Sequence, residues 1–308
     1  MNYSIVKDIE QQFDAIKDKG HFSRYTSIGY SSHLADEHVQ GCTKAIVNDI
    51  EYSVFSHSIS KSDKQGFIIR KSGANSKDAL KKAIPDGWKH PGGMQAIGNY
   101  LYVACEKGSA SKLFVFDISQ PKDIPVVYEQ EFSCHSASSV GITDITYNNK
   151  KSLLLVMNSN PCCHFYISDA PVGDNFSNVK FDKIGELSLR DSDKDGNDYE
   201  NIALFTEISE NEEKVYMFVP ENQPKGISYH DHAELYKLKI DPKVEYPKVS
   251  VISFKKRRLY RKGGVGGFSG VHFRWGACAF IDKYGKLTVF ATARSMIAGT
   301  LETNTWNS

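Results

Sequence analysis

Short apolar runs of four or five residues recur along the chain, at Tyr52 to Phe55, Tyr100 to Ala104, Leu153 to Met157, Val215 to Val219 and Leu287 to Ala291. They are too short for helices and lie between polar or glycine-containing turns, so each reads as a buried strand. Upstream of each run is a phrase ending in a small residue: HVQG (38–41), HPGG (90–93), SSVG (138–141), DYEN (198–201) and FRWG (273–276). The phrases start 52, 48, 60 and 75 residues apart. Further strands fall between them. The clearest group is 94–97, 100–105, 112–118 and 126–132, followed by 140–147, 153–157, 164–168 and 179–187, then 202–208, 214–219, 234–240 and 249–254. The first group shows 41–47, 51–57 and 66–71, with no clear fourth strand before Trp88. Residues 220–232 read as a long connection. Only over 3–17 does the period change, where Tyr3, Val6, Ile9, Phe13 and Ile16 fall at steps of three and four and predict an amphipathic helix stopped by Gly20.

A hairpin-based unit of four strands repeated five times predicts an all-β fold, a five-bladed β-propeller with a short N-terminal amphipathic helix. A ring of blades accommodates 308 residues without one oversized core. The division expected is 1–20 for the helix, packed across one end, and 21–308 for a single propeller domain. Residues 24–30 and 301–306 are expected to pair in one blade built from both ends of the chain, which would leave no open edge between first and last blades.

The five phrases resemble the blade openings of five-bladed β-propeller proteins over about residues 38–293. HPGGMQAIGNYLYVACE (90–106) and HFRWGACAFIDKYGKLTVFATAR (272–294) are similar to segments of HPGGxQ-containing propeller-like proteins. The resemblance implies the fold and is silent on activity, because propellers host lectins, glycosidases, phosphatases, lyases and cyclases.

Charge narrows the partners. With 38 Lys and Arg against 37 Asp and Glu the formal net charge is +1, which gives no global attraction to nucleic acid or to an anionic membrane. No apolar stretch reaches 18 residues, and charges run through the first twenty, so no membrane association and a cytoplasmic location are expected. The six cysteines form no CxxC pair and are expected to be free or structural thiols. Cys162 and Cys163 would point to opposite faces of a strand, which disfavours a shared metal. The basic run Lys255 to Arg258, with Arg261, Lys262 and the glycine-rich 263–270, matches no phosphate-binding motif and reads as a flexible connector between the last two blades.

In a propeller, the starts of the innermost strands and the loops between second and third strands share one face. That face gathers His38, Gln40, His90, Asp198, Glu200, His272 and Arg274 from the first set, and His57, Glu106, Asn158, Asn160 and residues 220–232 from the second. Convergent polar groups in a concavity define the candidate site. His38, His57, His90 and Glu106 are the candidate acid/base residues, because imidazole and carboxylate can exchange protons near neutrality. Gln40, Gln95, Asn158, Glu200, His272 and Arg274 are the candidate ligand contacts. His38 and His90 have a structural alternative, a hydrogen bond to a neighbouring blade's backbone. Gly92 and Gly93 read as permitting close strand approach rather than cradling phosphate.

Two segments resemble metal sites. Asp191, Asp193 and Asp195, followed by Gly196, supply the alternate carboxylates of a calcium loop. They depart from the EF-hand pattern where Ile202 replaces the final Glu, and a solvated acidic turn is the competing reading. His230, His232 and Glu234 would share one face of an extended strand. No cofactor is required by any motif; Ca2+ is a candidate for the aspartates and a transition metal for the His230, His232 and Glu234 set. GxSxG and HExxH are absent from the sequence. The function expected is recognition of a small organic molecule or saccharide at the channel mouth. A cofactor-independent cyclase, lyase, isomerase or hydrolase is one form of it, and a lectin-like or protein-interaction scaffold is the alternative. The phrases differ at their first position (His, His, Ser, Asp, Phe), which favours one asymmetric site over one site per blade.

Overall fold

Turn chemistry sets the inner hairpins. Asn48 and Asp49 both lie in the left-handed region (φ 50° and 61°), as do Asn148 and Asn149 (φ 50° and 61°). Positive φ at both central residues is the two-residue hairpin turn whose twist matches that of its strands, and Asn and Asp tolerate it best among residues with a side chain. In the computed structural model, which describes residues 5–25, 37–59, 66–71, 80–82, 84–120, 123–137, 139–159, 162–169, 176, 179–189, 201–209, 212–225, 228–263, 270–295 and 300–308, these hairpins build five sheets.

The chain begins with β1 (Ile5–Val6), α1 (Ile9–Ala15) and β2 (His21–Tyr25). Blade 1 is β3 (Glu37–Val47), β4 (Ile50–Ile59), β5 (Gly66–Lys71) and β6 (Leu80–Lys82), the last being the strand the sequence pattern obscures. Blade 2 is β7 (Met94–Ile97), β8 (Tyr100–Lys107), β9 (Ala110–Asp117) and β10 (Val126–Phe132). Blade 3 is β11 (Ser139–Tyr147), β12 (Lys150–Ser159), β13 (Cys162–Ser168) and β14 (Phe181–Ser188). Blade 4 is β15 (Ala203–Ser209), β16 (Glu212–Lys225), β17 (Ser228–Ile240) and β18 (Val249–Leu259). Blade 5 takes β19 (Ala277–Ile281), β20 (Leu287–Thr292) and β21 (Leu301–Asn307), and β2 pairs antiparallel with β21 as its outermost strand. Both ends of the chain therefore close the ring in one blade, as the alternation at 301–306 predicts.

Apolar faces of neighbouring blades supply the core. Phe67 meets Phe116 at 5.1 Å between blades 1 and 2, Phe132 meets Tyr166 at 4.5 Å between blades 2 and 3, and Phe55 meets Phe290 at 5.8 Å between blades 1 and 5. These tilted and edge-on arrangements are the favourable ones for aromatic rings. The expected helix is shorter than 3–17. Ile5 and Val6 instead pair in parallel with Thr206 and Glu207, laying β1 along the axial edge of β15, and the left-handed Asp8 (φ 53°) turns the chain into α1. Ile9, Phe13 and Ile16 are buried there, with Phe13 6.3 Å from Phe218.

Two readings of the sequence are corrected. Residues 220–232 are not a loop: β16 and β17 extend as one hairpin, with Glu221 opposite His232 and Asn222 opposite Asp231. Lys255 to Arg258 are not a flexible connector but part of β18. There Lys255 donates to Asp14 at 2.6 Å and Arg257 to Asp18 at 2.7 Å, tying the outer strand of blade 4 to the segment around α1.

At the axis the inner strands approach backbone to backbone. A Cβ on Gly41 would overlap the Gly92 carbonyl, and one on Gly276 would lie 3.1 Å from the Gly41 carbonyl carbon. Gly93 bridges Ser139, Gly141 lies against Ile202 and Leu204, and the Asn201 amide pairs with the Ala277 backbone. The small residues of the five phrases thus meet in one closed circuit. Gly41→Ala is expected to destabilise the protein by about 1–3 kcal/mol through overpacking. Chemical denaturation reads this directly, and a wild-type midpoint would contradict the axial packing.

Candidate functional site

Inner strands entering from one end of the axis deliver the polar residues of the phrases to that end. Blade 1 contributes His38 and Gln40 from β3 and His57 from β4, and blade 2 contributes His90 before β7 and Glu106 near the end of β8. Blade 5 adds Arg274 and Trp275 before β19 and Arg294 after β20. The backbone brings the blades together, since the Val39 amide donates to the Arg294 carbonyl at 2.8 Å. His38, His57, His90, Glu106 and Arg294 therefore occupy one sector of the mouth, spanning blades 5, 1 and 2.

Within this sector the imidazoles differ. Nδ1 of His90 is hydrogen-bonded to Oε1 of Glu106, and both side chains reach solvent, at 44% and 25% relative exposure. The pair is joined along the main chain as well, by reciprocal bonds between Lys89 and Glu106. His90 itself is left-handed (φ 47°), an uncommon conformation for a residue with a side chain and one that clusters at ligand clamps. A carboxylate on one ring nitrogen fixes the tautomer of the imidazole. Nε2 of His38 is hydrogen-bonded to the side-chain oxygen Oε1 of Gln40. Burial lowers the His38 pKa, the Gln40 bond partly offsets this, and the charges of Arg294 and His90 lower it further. His57 is fully buried, and burial, with His38 next, pushes it down to about 4. Near neutral pH both imidazoles are therefore uncharged, and His38 feels the charge of Arg294.

Other predicted residues are committed elsewhere. Gln95 is buried at the axis, where its oxygen accepts from Ile142 N at 2.8 Å and Leu204 N at 3.0 Å and its nitrogen donates to the Leu204 carbonyl at 2.9 Å. It joins the inner strands of blades 2, 3 and 4. Asn158 is fully buried in β12, its side-chain oxygen 3.9 Å from Cys163 Sγ. Nδ1 of His272 sits 3.4 Å from Asp231 Oδ2, and its ring lies 4.9 Å from that of Tyr229. Asp231 also accepts from Asn222 at 2.7 Å and from Phe273 N at 3.0 Å, so this group clamps the long hairpin of blade 4 onto blade 5. Glu200, Asp191, Asp193 and Asp195 lie outside the described residues, as do Asn160 and Asp198.

A cluster that the sequence does not announce sits on the other face of the same hairpin. Glu221 and Glu234 are fully buried, and Lys256 of β18 bonds both, at 3.0 Å to Glu234 Oε1. Burial and then the neighbouring Glu221 raise the Glu234 pKa, while Tyr236 donates to it at 2.8 Å. Burial works to lower Lys256, but the two carboxylates outweigh it and hold the ammonium charged. His232 lies 3.4 Å from Glu221, and burial and Lys256 keep its pKa low. An ammonium therefore sits where the His230, His232 and Glu234 pattern would place a metal. Among the described residues no three His, Cys, Asp or Glu side chains form a metal-holding group. Val219, Tyr236 and Phe254 on this face pack in the core shared with blade 3, so the cluster is an interblade lock.

Two grooves open at the opposite end of the ring. One of about 180 Å³ lies among Ile145, Val215, Leu238 and Ile252, and one of about 350 Å³ lies between α1 and the turn at Tyr284. Neither is lined by histidine or cysteine. The six cysteines are all free thiols, five of them buried. Burial raises Cys105, Cys134 and Cys163, leaving them inert.

The architecture makes this protein a five-bladed β-propeller. No family model matches the chain, and comparison with curated proteins returns no match. Among the described residues no helix is long and apolar enough to cross a membrane.

His57 makes stability pH-dependent with a definite sign. Its folded pKa lies below the unfolded value near 6.5, so the unfolded chain binds the extra proton. The contribution is present above pH 6.5 and is lost as pH falls toward about 4, by about 3 kcal/mol in full. Denaturant unfolding at several pH values in this window should show a steeper loss for wild type than for His57→Gln. Parallel losses would remove His57 as a cause.

Proposed function

We propose that this propeller binds a small organic molecule or saccharide at the mouth formed by blades 5, 1 and 2 and carries out acid/base chemistry on it. The observation that carries the reading is the half-exposed His90–Glu106 pair, held on a left-handed residue beside the neutral bases His38 and His57. An imidazole whose second nitrogen is fixed by a carboxylate can take a proton from a bound substrate and return it to another atom. A nearby neutral imidazole can supply or receive the second proton. Isomerisation, elimination and cyclisation need only that pair of transfers with correct positioning, and hydrolysis adds a water. The likeness of 90–106 and 272–294 to HPGGxQ-containing propeller-like proteins belongs to this reading, as does a cytoplasmic setting. So does an occasional Ca2+ on Asp191, Asp193 and Asp195. No resident cofactor enters it.

A lectin-like scaffold would repeat its contacts from blade to blade. Among the described residues the polar groups are instead gathered in one sector, and Asn222 and Asp231 of the blade 4 hairpin are spent on the clamp with His272. The test is a thermal-shift and calorimetric screen of small organic acids, sugars and sugar derivatives on wild type, His90→Ala and Glu106→Gln. Both substitutions should abolish binding or turnover while keeping the melting temperature within a few degrees of wild type, because partly solvated groups contribute little to the core. Retained affinity with lowered stability would remove the pair from the site and leave it a structural tie between strands.

A further inference from the structure

We propose that Ser159, His164 and Glu186 of blade 3 form a second site, in which Ser159 takes the acyl group of a carboxylic ester. It lies outside the sector formed by blades 5, 1 and 2 and does not depend on that sector binding a ligand. Strand register builds it. Ser159 ends β12 opposite Cys162 of β13, and His164, two residues further along β13, pairs with Glu186 of β14. Side chains two apart on a strand share a face, so the three groups project from the same side of three adjacent strands. Ser159 Oγ lies 2.9 Å from His164 Nε2, and His164 Nδ1 lies 3.5 Å from Glu186 Oε2. A hydroxyl, an imidazole and a carboxylate joined in that order are the parts of nucleophilic acyl transfer, and they are recognised by geometry rather than by a sequence motif.

Each group is in the protonation state that this chemistry needs. Lys183 donates to Glu186 at 2.8 Å and holds its carboxyl below the usual carboxylate range, so Glu186 is an anion near neutral pH. A carboxylate only accepts, which places the ring proton of His164 on Nδ1; no other partner for that atom is found among the described residues. Nε2 is then the acceptor for the Ser159 hydroxyl. Burial and then Lys183 lower the His164 pKa, and Glu186 partly offsets them, so the ring is a neutral base. Ser159 and His164 are both partly exposed, and the Glu186 side chain is 48% exposed, so an ester can reach the hydroxyl from solvent.

The steps balance without a cofactor. The hydroxyl proton of Ser159 passes to Nε2 as Oγ bonds to the acyl carbon, and the ester C–O bond breaks with that proton delivered to the departing alcohol oxygen. Water then attacks the acyl-serine and gives a proton to Nε2, which returns it to Oγ as the carboxylic acid leaves. Glu186 touches neither substrate nor nucleophile. It is a positioning residue that acts through His164.

The test is covalent labelling of the full chain with an alkyl fluorophosphonate, which loses fluoride to an activated serine, alongside hydrolysis of para-nitrophenyl acetate. Wild type, Ser159→Ala, His164→Gln, Glu186→Gln and Cys162→Ala are compared. Peptide mass spectrometry places the adduct, and thermal unfolding is recorded for each variant. One phosphonyl group should appear on Ser159, and Ser159→Ala should remove both the label and the ester hydrolysis. His164→Gln should slow labelling about a hundredfold and Glu186→Gln about tenfold. Cys162→Ala, on the same face, should label as wild type does.

A positioning role also moves the pH profile. Labelling should rise with pH through a midpoint below 6.5, and the midpoint should fall further in Glu186→Gln, because the carboxylate raises the imidazole pKa. The other titratable groups around the ring are Lys183 of β14, Cys162 and Tyr166 of β13, Cys134 after β10, and Tyr246, which bonds both Lys183 and Glu186. If His164→Gln does not fold, Glu186→Gln and the pH profile carry the comparison. No adduct, an adduct on another residue, or an adduct on Ser159 that forms equally fast without His164 would overturn the inference and leave the Ser159 to His164 bond as a tie between strands. Ester hydrolysis undiminished in Ser159→Ala would overturn it too.

Discussion

Crowding at the axis governs the rest of this molecule. Five inner strands can share one axis only where their backbones touch, so glycine and asparagine are required where β3, the approach to β7, β11, the approach to β15 and the approach to β19 meet. Gln95 fills part of the axis by bonding the backbones of two other blades. β1 takes the axial edge of β15 toward the other end. Polar residues just upstream of the small ones are pushed out to the mouth, and the phrase that packs the axis also presents the candidate site.

This linkage explains why the fold was legible. The hairpin turns at Asn48–Asp49 and Asn148–Asn149, the apolar runs and the recurring small residues report local requirements that a single sequence displays. The long hairpin of blade 4 runs through Pro220 and Pro224, residues that central strands seldom hold. β15 pairs with β16 only as far as Ala203 opposite Phe218, so beyond that point one edge of β16 carries no ladder to β15 and proline costs little. The basic run of β18 misled for a different reason. Its partners Asp14 and Asp18 are separated from it by more than two hundred residues, and Glu221 and Glu234 lie on strands whose register no composition reveals.

The candidate site was legible by phase and opaque in detail. His38, His57, His90 and Glu106 were found because repeat position alone sends them to one face, and the structure does bring them together. Arg294 carried no such signal, since it follows a strand rather than opening one. Asn158 and His272 share the repeat phase but are drawn into the packing, Asn158 within blade 3 and His272 beside Asp231. Phase gives the end of the ring on which a residue lies. Only the tertiary partners decide whether it faces a ligand or a neighbour.

The central claim is that blades 5, 1 and 2 hold a ligand at the mouth while the polar residues of blade 4 serve as a lock. Difference electron density from crystals soaked in a small-molecule extract tests it most directly. The density expected is a single molecule in contact with His90, Glu106 and Arg294, with Lys256 still bonded to Glu221 and Glu234. A mouth filled by the protein's own side chains, with the bound molecule lodged in a groove at the opposite end, would contradict it.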